Sequence, residues 1–540
     1  MFRFYDDELQ NLILVAHRNV QEIISYTANY DYHPPLQYLF NKIFLELFGL
    51  NEFLLKLPSI ILIIISVILC SHLVFKITGS IKQSLLCGLI TITNPLILLW
   101  GTSLRWYPLW TFLAVLSIYL VTTLYIDANN KKRIILKSFL IFSLTLALYT
   151  NYQTIVLIAA FLITAFILDL KVDSKKYAHM KRILPVIIGV ILLFLPYINV
   201  FLNHIETYFR RKEIYSDYSV HSPILAGCYF IFSILFGNSI YPWDNRFIVL
   251  ISITIIALAG SIFYYKHHSS RIIIILPKSG LFKVKQNLLF LISMISIILF
   301  VLFLLQSVLT GSFLSRGFII FSFLLPILIT VYLFRLFSIE DKKLLSLIMV
   351  TVVSFFLIWS ISSYNVLTRQ SLHKSGLMDP VEEVTFFVNN IIESEKTNYL
   401  VVTSDPVLTY YLAKTHLSGS VRIFAPYILA TKNLFYSVSP KKNNNNATFD
   451  SSSTLIYIQS YPGSLIPLKE RMDTIKKYIF ENALLIKKPV KLGYDPDSYM
   501  KRKYFPSLGM IDWRFTIYQF HPRSNWDRDM LEEINKLKLH

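Results

Sequence analysis

The sequence predicts an α-helical polytopic membrane protein of about ten transmembrane helices, with interfacial helices ahead of them and a small α/β domain behind them. Three observations predict it. Of 540 residues, 54% are hydrophobic and only 16% charged, against roughly 25% charged in soluble domains. The apolar residues gather into ten runs of spanning length, each about 17 to 25 residues. After residue 363 the pattern changes to short apolar strands alternating with amphipathic helices. The chain therefore divides into an outer first loop at 1–56, a transmembrane domain at 57–362 and a C-terminal domain at 363–540.

The first loop holds two amphipathic segments. In one, Leu9, Leu12, Ile13, Ala16, Val20, Ile23 and Ile24 recur at helical spacing. In the other, Leu36, Leu39, Phe40, Ile43, Phe44, Leu47 and Phe48 do so more strictly. Both are expected to lie in the membrane interface. His33-Pro34-Pro35 opens the second, because a proline in a first helical turn loses no hydrogen bond.

The spans are expected near 57–76, 84–100, 107–126, 134–150, 152–169, 183–202, 246–265, 287–306, 317–337 and 344–362. A further apolar run at 223–240 is interrupted by Gly227 and Gly237 and reads as re-entrant or interfacial. The formal charge of +19 is a matter of topology. Nineteen basic residues sit in five alternate loops and ten on the opposite side of the spans, so the richer loops are cytoplasmic. The first loop and the C-terminal domain then lie outside, and the multi-pass chain has membrane lipids, not nucleic acid, as its charged partner.

In the C-terminal domain, 381–392 reads as a helix, 399–403 as a strand, 406–414 as a helix, 421–425 and 455–459 as strands, 468–483 as a helix and 515–520 as a strand. Asn446-Ala447-Thr448 fits the glycosylation tripeptide, a pattern that also arises by chance. The three cysteines, Cys70, Cys87 and Cys228, lie in apolar surroundings without metal spacing, so no disulfide framework or zinc site follows.

The sharpest chemical cluster is Asp6-Asp7-Glu8, ahead of an interfacial helix on the outer side. A carboxylate there could take a proton from a hydroxyl nucleophile; acidic residues at a helix start also cap it and balance its dipole. Arg105, beside Trp106 and Tyr107, and Arg316 stand at outer ends of spans. Guanidinium groups grip phosphate in bidentate fashion, and they also snorkel to headgroups. The loop at 203–222, with Arg210, Arg211 and Lys212, is a gate or a solvated basic loop. Tyr149-Thr150-Asn151-Tyr152 is a polar step at an outer junction, suited to sugar hydroxyls or to a turn.

Taken in order, these features resemble the polytopic glycosyltransferases of the GT-C fold, in the branch of the dolichyl-phosphate-mannose protein mannosyltransferases and the lipid A aminoarabinose transferase. The resemblance is carried by Phe4-Tyr5-Asp6-Asp7-Glu8, His33-Pro34-Pro35-Leu36-Gln37-Tyr38, Phe48-Gly49 and Lys56-Leu57-Pro58-Ser59. Asn94-Pro95, Arg105-Trp106-Tyr107, Tyr149-Thr150-Asn151-Tyr152 and the Arg316 turn with Pro326 continue it. It implies a monosaccharide donor linked to polyprenyl phosphate and an inverting transfer to a lipid, glycan or protein acceptor outside the cytoplasm. Asp7 would be the general base, with Glu8 beside it and Asp6 as a substitute. Arg105, Arg316, His33, Tyr107, Asn151 and Lys56 would meet the donor phosphate or sugar.

Relatives place a transmembrane helix ahead of the Asp-Glu motif, whereas this chain begins almost at the motif: either an apolar segment precedes Met1 or the chain is a divergent or truncated form. Relatives also often carry an acid before the Arg, where this chain has Ser103-Leu104, and His where Asn151 stands. No cofactor is assigned; first-loop carboxylates could hold a divalent ion, but their spacing predicts one poorly. The rival classes are a transporter or lipid flippase, which would need ionisable groups at span centres, and an inactive scaffold of the same fold.

Overall fold

The computed structural model describes residues 6–211 except 17, 30, 32, 127–129 and 172–176, and residues 231–368 except 233, 237–244, 269–280, 311–314 and 337–341. Beyond these it describes 381–394, 399–403, 408, 412, 421–424, 454–461, 476–477, 479–481, 483–485, 489–493 and 514–522.

The first amphipathic segment is two helices, α1 (Asp6–Ala16) and α2 (Val20–Asn29), where the spacing of apolar residues suggested one run. The break is a capping box: the Asn19 side chain accepts from the Glu22 N–H at 2.9 Å, and Glu22 Oε2 accepts from the Asn19 N–H at 2.8 Å. Helix α3 (Leu36–Phe48) starts at Pro35 as expected and stops at Gly49, whose φ of 60° lies where a side chain is unfavourable.

Helix α4 (Glu52–Thr78) begins five residues ahead of the expected span, because Asn51 Oδ1 caps the N–H groups of Phe53 and Leu54. The run at 84–100 is divided into α5 (Ile81–Ile92) and α6 (Pro95–Trp100). Pro95 has no N–H to continue α5, and Asn94 Oδ1 caps the new helix at Leu96 and Ile97. Then follow α7 (Tyr107–Ile126), α8 (Asn130–Thr150), α9 (Thr154–Lys171) and α10 (Met180–Phe194). A 3-10 turn at Leu195–Tyr197, centred on Pro196, leads into α11 (Ile198–Arg211). The remaining helices of the bundle are α12 (Asn245–His268), α13 (Leu281–Thr310), α14 (Phe321–Leu336) and α15 (Lys342–Thr368).

Among the described residues six helices are long and apolar enough to cross a membrane, and four shorter apolar helices, Ile81–Ile92, Thr154–Leu170, Ile248–Ser261 and Phe321–Leu333, complete the ten expected positions. Of 223–240 only residues 231–232 and 234–236 are described, and they are helical.

One apolar core runs through α4, α5, α7 to α10, α13 and α14. Lipid is as apolar as leucine, so helices in a bilayer associate through close packing and polar contacts. Both are present. Ser84 Oγ donates to the Ser71 carbonyl at 2.7 Å between α5 and α4, and Ser117 and Ser143 Oγ lie 3.0 Å apart between α7 and α8. Outward faces, such as Ile61, Ile64, Ile65 and Ile68 on α4, stay apolar and exposed, as a lipid-facing surface requires.

Among the described residues the C-terminal part carries α16 (Val381–Ser394) and six strands: β1 (Tyr399–Thr403), β2 (Val421–Phe424), β3 (Thr454–Tyr461), β4 (Ala483–Leu485), β5 (Val490–Gly493) and β6 (Arg514–Pro522). Strand β1 pairs in parallel with β2 and β3, and β6 runs antiparallel to β3 with β4 and β5 along its other edge. Strands β4 and β5 were not expected, and residue 483 belongs to β4 where a helix was read over 468–483. Of the helix read at 406–414 only Leu408 and Leu412 are described, both buried; of the loop read over 203–222, residues 203–211 are instead the end of α11, and 212–222, like the tripeptide at 446–448, lie outside the described residues. Val384 and Val388 of α16 form one buried cluster with Val401, Ile456, Ile458 and Ile517 of the sheet, and with Leu12, Leu55 and Leu104.

Candidate active site

The turn between α6 and α7, residues 101–106, is bound through its backbone by three other elements. Glu8 Oε1 on α1 accepts from the Leu104 N–H at 2.8 Å. The Leu104 carbonyl accepts from Asn41 Nδ2 at 2.7 Å and Gln37 Nε2 at 3.2 Å, both on α3. Ser59 Oγ on α4 donates to the Ser103 carbonyl at 3.1 Å, and Ser103 Oγ accepts from the Arg105 N–H at 3.1 Å.

Glu8 and Lys56 are the deepest charges of this region. Their carboxylate and ammonium lie 2.8 Å apart and each side chain is 1% exposed. Removing two charges from water is costly unless each finds a partner and further hydrogen bonds; here the Leu104 N–H supplies one. Lys56, expected at the donor phosphate, thus points to Glu8, and the pair fastens the Asp-Glu motif to the start of α4. Glu8, expected beside the base, spends both oxygens on Lys56 and Leu104. The side chains of Asp6, Asp7 and Arg316 lie outside the described residues, although α1 carries the first two and the 3-10 turn Ser315–Phe318 the third.

A second group gathers around Asp31. Its carboxylate accepts from the His33 N–H at 3.2 Å, meets His33 Nδ1 at 2.9 Å and accepts a very short bond from the Tyr38 hydroxyl. Burial alone would raise the Asp31 carboxyl, yet the adjoining His33, its hydrogen bonds and the positive charge of Arg105 hold it well below the usual carboxylate range. The Tyr38 phenol is pushed well above its ordinary value by burial and by the Asp31 charge, so it remains a donor. The Asp31 carboxylate thus meets His33 directly and lies within electrostatic reach of Arg105, both expected from the sequence. Asp31 and Tyr38 were missed as site residues. The available signal was an acid two residues before His33, on a turn stiffened by two prolines.

The turn between α8 and α9 lies at the same end. Asn151, expected near sugar hydroxyls, is 9% exposed and uses its Oδ1 to accept from the Gln153 N–H at 2.8 Å, so it stabilises the turn itself. Tyr152 OH lies 2.7 Å from His204 Nδ1, and His204 Nε2 lies 3.2 Å from the Ala28 carbonyl of α2. The Arg316 turn reaches this point too: a Cβ built on Gly317 would lie 2.8 Å from Gln153 Nε2, so a larger residue there would push the end of the Gln153 side chain aside. Tyr107 is 1% exposed and packs edge-on to Trp100, with Trp106 4.3 Å from it between ring centres; it is a core residue of the turn. Among the described residues no three His, Cys, Asp or Glu side chains gather as a metal site would require.

No curated protein matches the chain. Among solved structures, ArnT from Cupriavidus metallidurans bound to undecaprenyl phosphate is similar at 10% identity and a TM-score of 0.44, covering 95% of this chain and 92% of that one. The same protein in the apo state is similar at 12% identity and a TM-score of 0.39, with 96% and 94% covered. The model of the dolichyl-phosphate-mannose-protein mannosyltransferase family matches residues 32–199. That stretch holds His33-Pro34-Pro35, the Lys56–Ser59 motif, the Arg105 turn and the Asn151 turn, and over it the resemblance read from the motifs is borne out.

Proposed function

We propose that the chain is a membrane glycosyltransferase that moves one sugar from a polyprenyl-phosphate donor to a hydroxyl acceptor outside the cytoplasm. The observation that carries this reading is the family pattern across residues 32–199. The Glu8–Leu104 hydrogen bond supports it, because it joins the neighbour of Asp7 to the neighbour of Arg105 across 96 positions of sequence. In this reading Asp7 takes the proton of the acceptor hydroxyl as its oxygen bonds the anomeric carbon from the face opposite the phosphate. The bond from that carbon to the phosphate oxygen breaks, the polyprenyl phosphate leaves and the configuration inverts. Arg105 and Arg316 stabilise the charge that grows on the leaving oxygens, and Asp31 keeps His33 and Arg105 at the same place. Glu8 and Lys56 act by holding the motif in position.

The test is transfer of label from radiolabelled polyprenyl-phosphate sugars in membranes containing the protein. Asp7→Asn should lower the rate by roughly a hundred- to ten-thousandfold, the range for loss of a general base. An Asp7→Asn protein that transfers at the parent rate would show the base to be another group. A folded parent that releases label from no donor would return the protein to the transporter or scaffold classes.

A further inference from the structure

Helix α3 is amphipathic in a sense its sequence pattern does not reveal. Its outward face is apolar, with Ile43 and Leu47 54% and 66% exposed, while Gln37, Tyr38 and Asn41 are buried to 5% exposure or less. Buried polar groups are ordinarily hydrogen-bonded; in this stripe the Gln37 Oε1 has no partner among the described residues, and it is the amide donors that are engaged. They converge on one residue. Gln37 Nε2 and Asn41 Nδ2 both donate to the carbonyl of Leu104, the residue before Arg105, and Gln37 Nε2 also meets Asn41 Oδ1 at 2.8 Å. Tyr38, on the same face, holds Asp31 through its hydroxyl.

We propose that Gln37 and Asn41 are positioning residues for Arg105. They fix the peptide group immediately ahead of it, from a helix whose outward face is built to rest in lipid. Loops ordinarily satisfy their carbonyls with water or their own chain. This one takes two buried side-chain donors from α3, and Glu8 of α1 grips the N–H of the same residue. The geometry leaves the 104–105 peptide little freedom to swing. Tyr38 adds a second restraint, because the Asp31 carboxylate that it holds lies within electrostatic reach of Arg105. The consequence for catalysis rests on the transferase reading above; the restraint on position 105 does not.

The two donors share one acceptor, so they should substitute for each other in part. Gln37→Met and Asn41→Leu keep side-chain size and favour a helix. With both changes the Leu104 carbonyl loses both donors. The experiment places a spin label at position 105 (Arg105→Cys, with Cys70, Cys87 and Cys228 changed to alanine) and records its mobility in detergent. In parallel it measures sugar transfer by proteins that keep Arg105.

The label should be immobilised with α3 intact, nearly so in each single variant, and mobile in the double variant. Transfer should fall a few-fold in the singles and about a hundredfold in the double, mostly in kcat, since a displaced guanidinium loses charge that develops in the transition state. Glu46→Ala, on the exposed side of α3, should move neither reading. A label equally immobile in the double variant overturns the proposal, as does a mobile label with an unchanged kcat. Should the double variant fail to fold, the singles decide by kcat against Glu46→Ala: rates unchanged in both overturn the shared restraint. If the parent moves no sugar, the transferase reading fails while the spectra still decide whether α3 sets position 105.

Discussion

Asp31 shows how a site residue can escape a sequence reading. Its neighbours in the chain, Tyr30 and Tyr32, give no hint of its partners, and the residues that define it arrive from α3 and from the turn before α7. His33 was named from the sequence through the motif resemblance and Arg105 because a guanidinium grips phosphate; the carboxylate that meets His33 was not, because a lone acid in a loop is ordinarily solvated. Its depressed acidity gives a signed prediction. A carboxyl held below its unfolded value of about 3.9 contributes stability in full above that value and loses it only as pH falls through the lower folded value. Asp31→Asn should therefore cost about 1–3 kcal/mol, as for a hydrogen-bonded charge. The lowering of the thermal midpoint in detergent should be the same at pH 7 and pH 5 and should shrink towards pH 3. A difference already gone at pH 5 would mean that this carboxyl is not held low.

At the scale of elements, the buried Glu8–Lys56 pair joins α1 to α4 and carries a prediction of its own. Removing one partner strands the other charge in the interior, so Lys56→Met should destabilise by about 3–5 kcal/mol. Glu8→Gln with Lys56→Met should recover much of that loss, since two neutral groups need no counter-ion. Thermal unfolding of the single and double variants measures this; a double variant no more stable than Lys56→Met would show that the charge is not what matters. The positions of the helices were legible from apolar runs, because lipid contact demands them whatever the packing. Their interruptions were less so. The break at 93–94 comes from Asn94 and Pro95, which leave the hydropathy of the run nearly unchanged, and the break before α2 from the reciprocal bonds of Asn19 and Glu22. Strand β4 is three residues long and adjoins a helical pattern, too short for an alternation of faces to register.

For the whole molecule, the buried cluster that joins Leu12, Leu55 and Leu104 to Val384, Val388 and the sheet puts the C-terminal domain at the same end of the bundle as the Glu8–Lys56 pair. Two segments at one end must be separated by an even number of crossings. If the four shorter apolar helices cross as the six long ones can, as the apolar runs predict, the described residues satisfy that parity with ten crossings; a full crossing by 223–240 would make eleven and part the domain from its partners. The excess of basic residues in alternate loops predicts the orientation, with Lys266 and Lys278 expected inside and residues 363–540 outside. Alkaline phosphatase, which is active only outside the cytoplasm, should accordingly be active when fused after His540 and inactive when fused to a chain ending at Lys278. A fluorescent protein that matures only inside should give the reverse. Activity of the phosphatase at both points would mean an odd number of crossings between them has been miscounted, and activity only at Lys278 would reverse the orientation and move the Asp-Glu motif to the cytoplasm. Because the cluster ties the domain to α1, a shared side for the two ends holds under either orientation, and phosphatase fused after His540 therefore also reports the side on which the Asp-Glu motif lies.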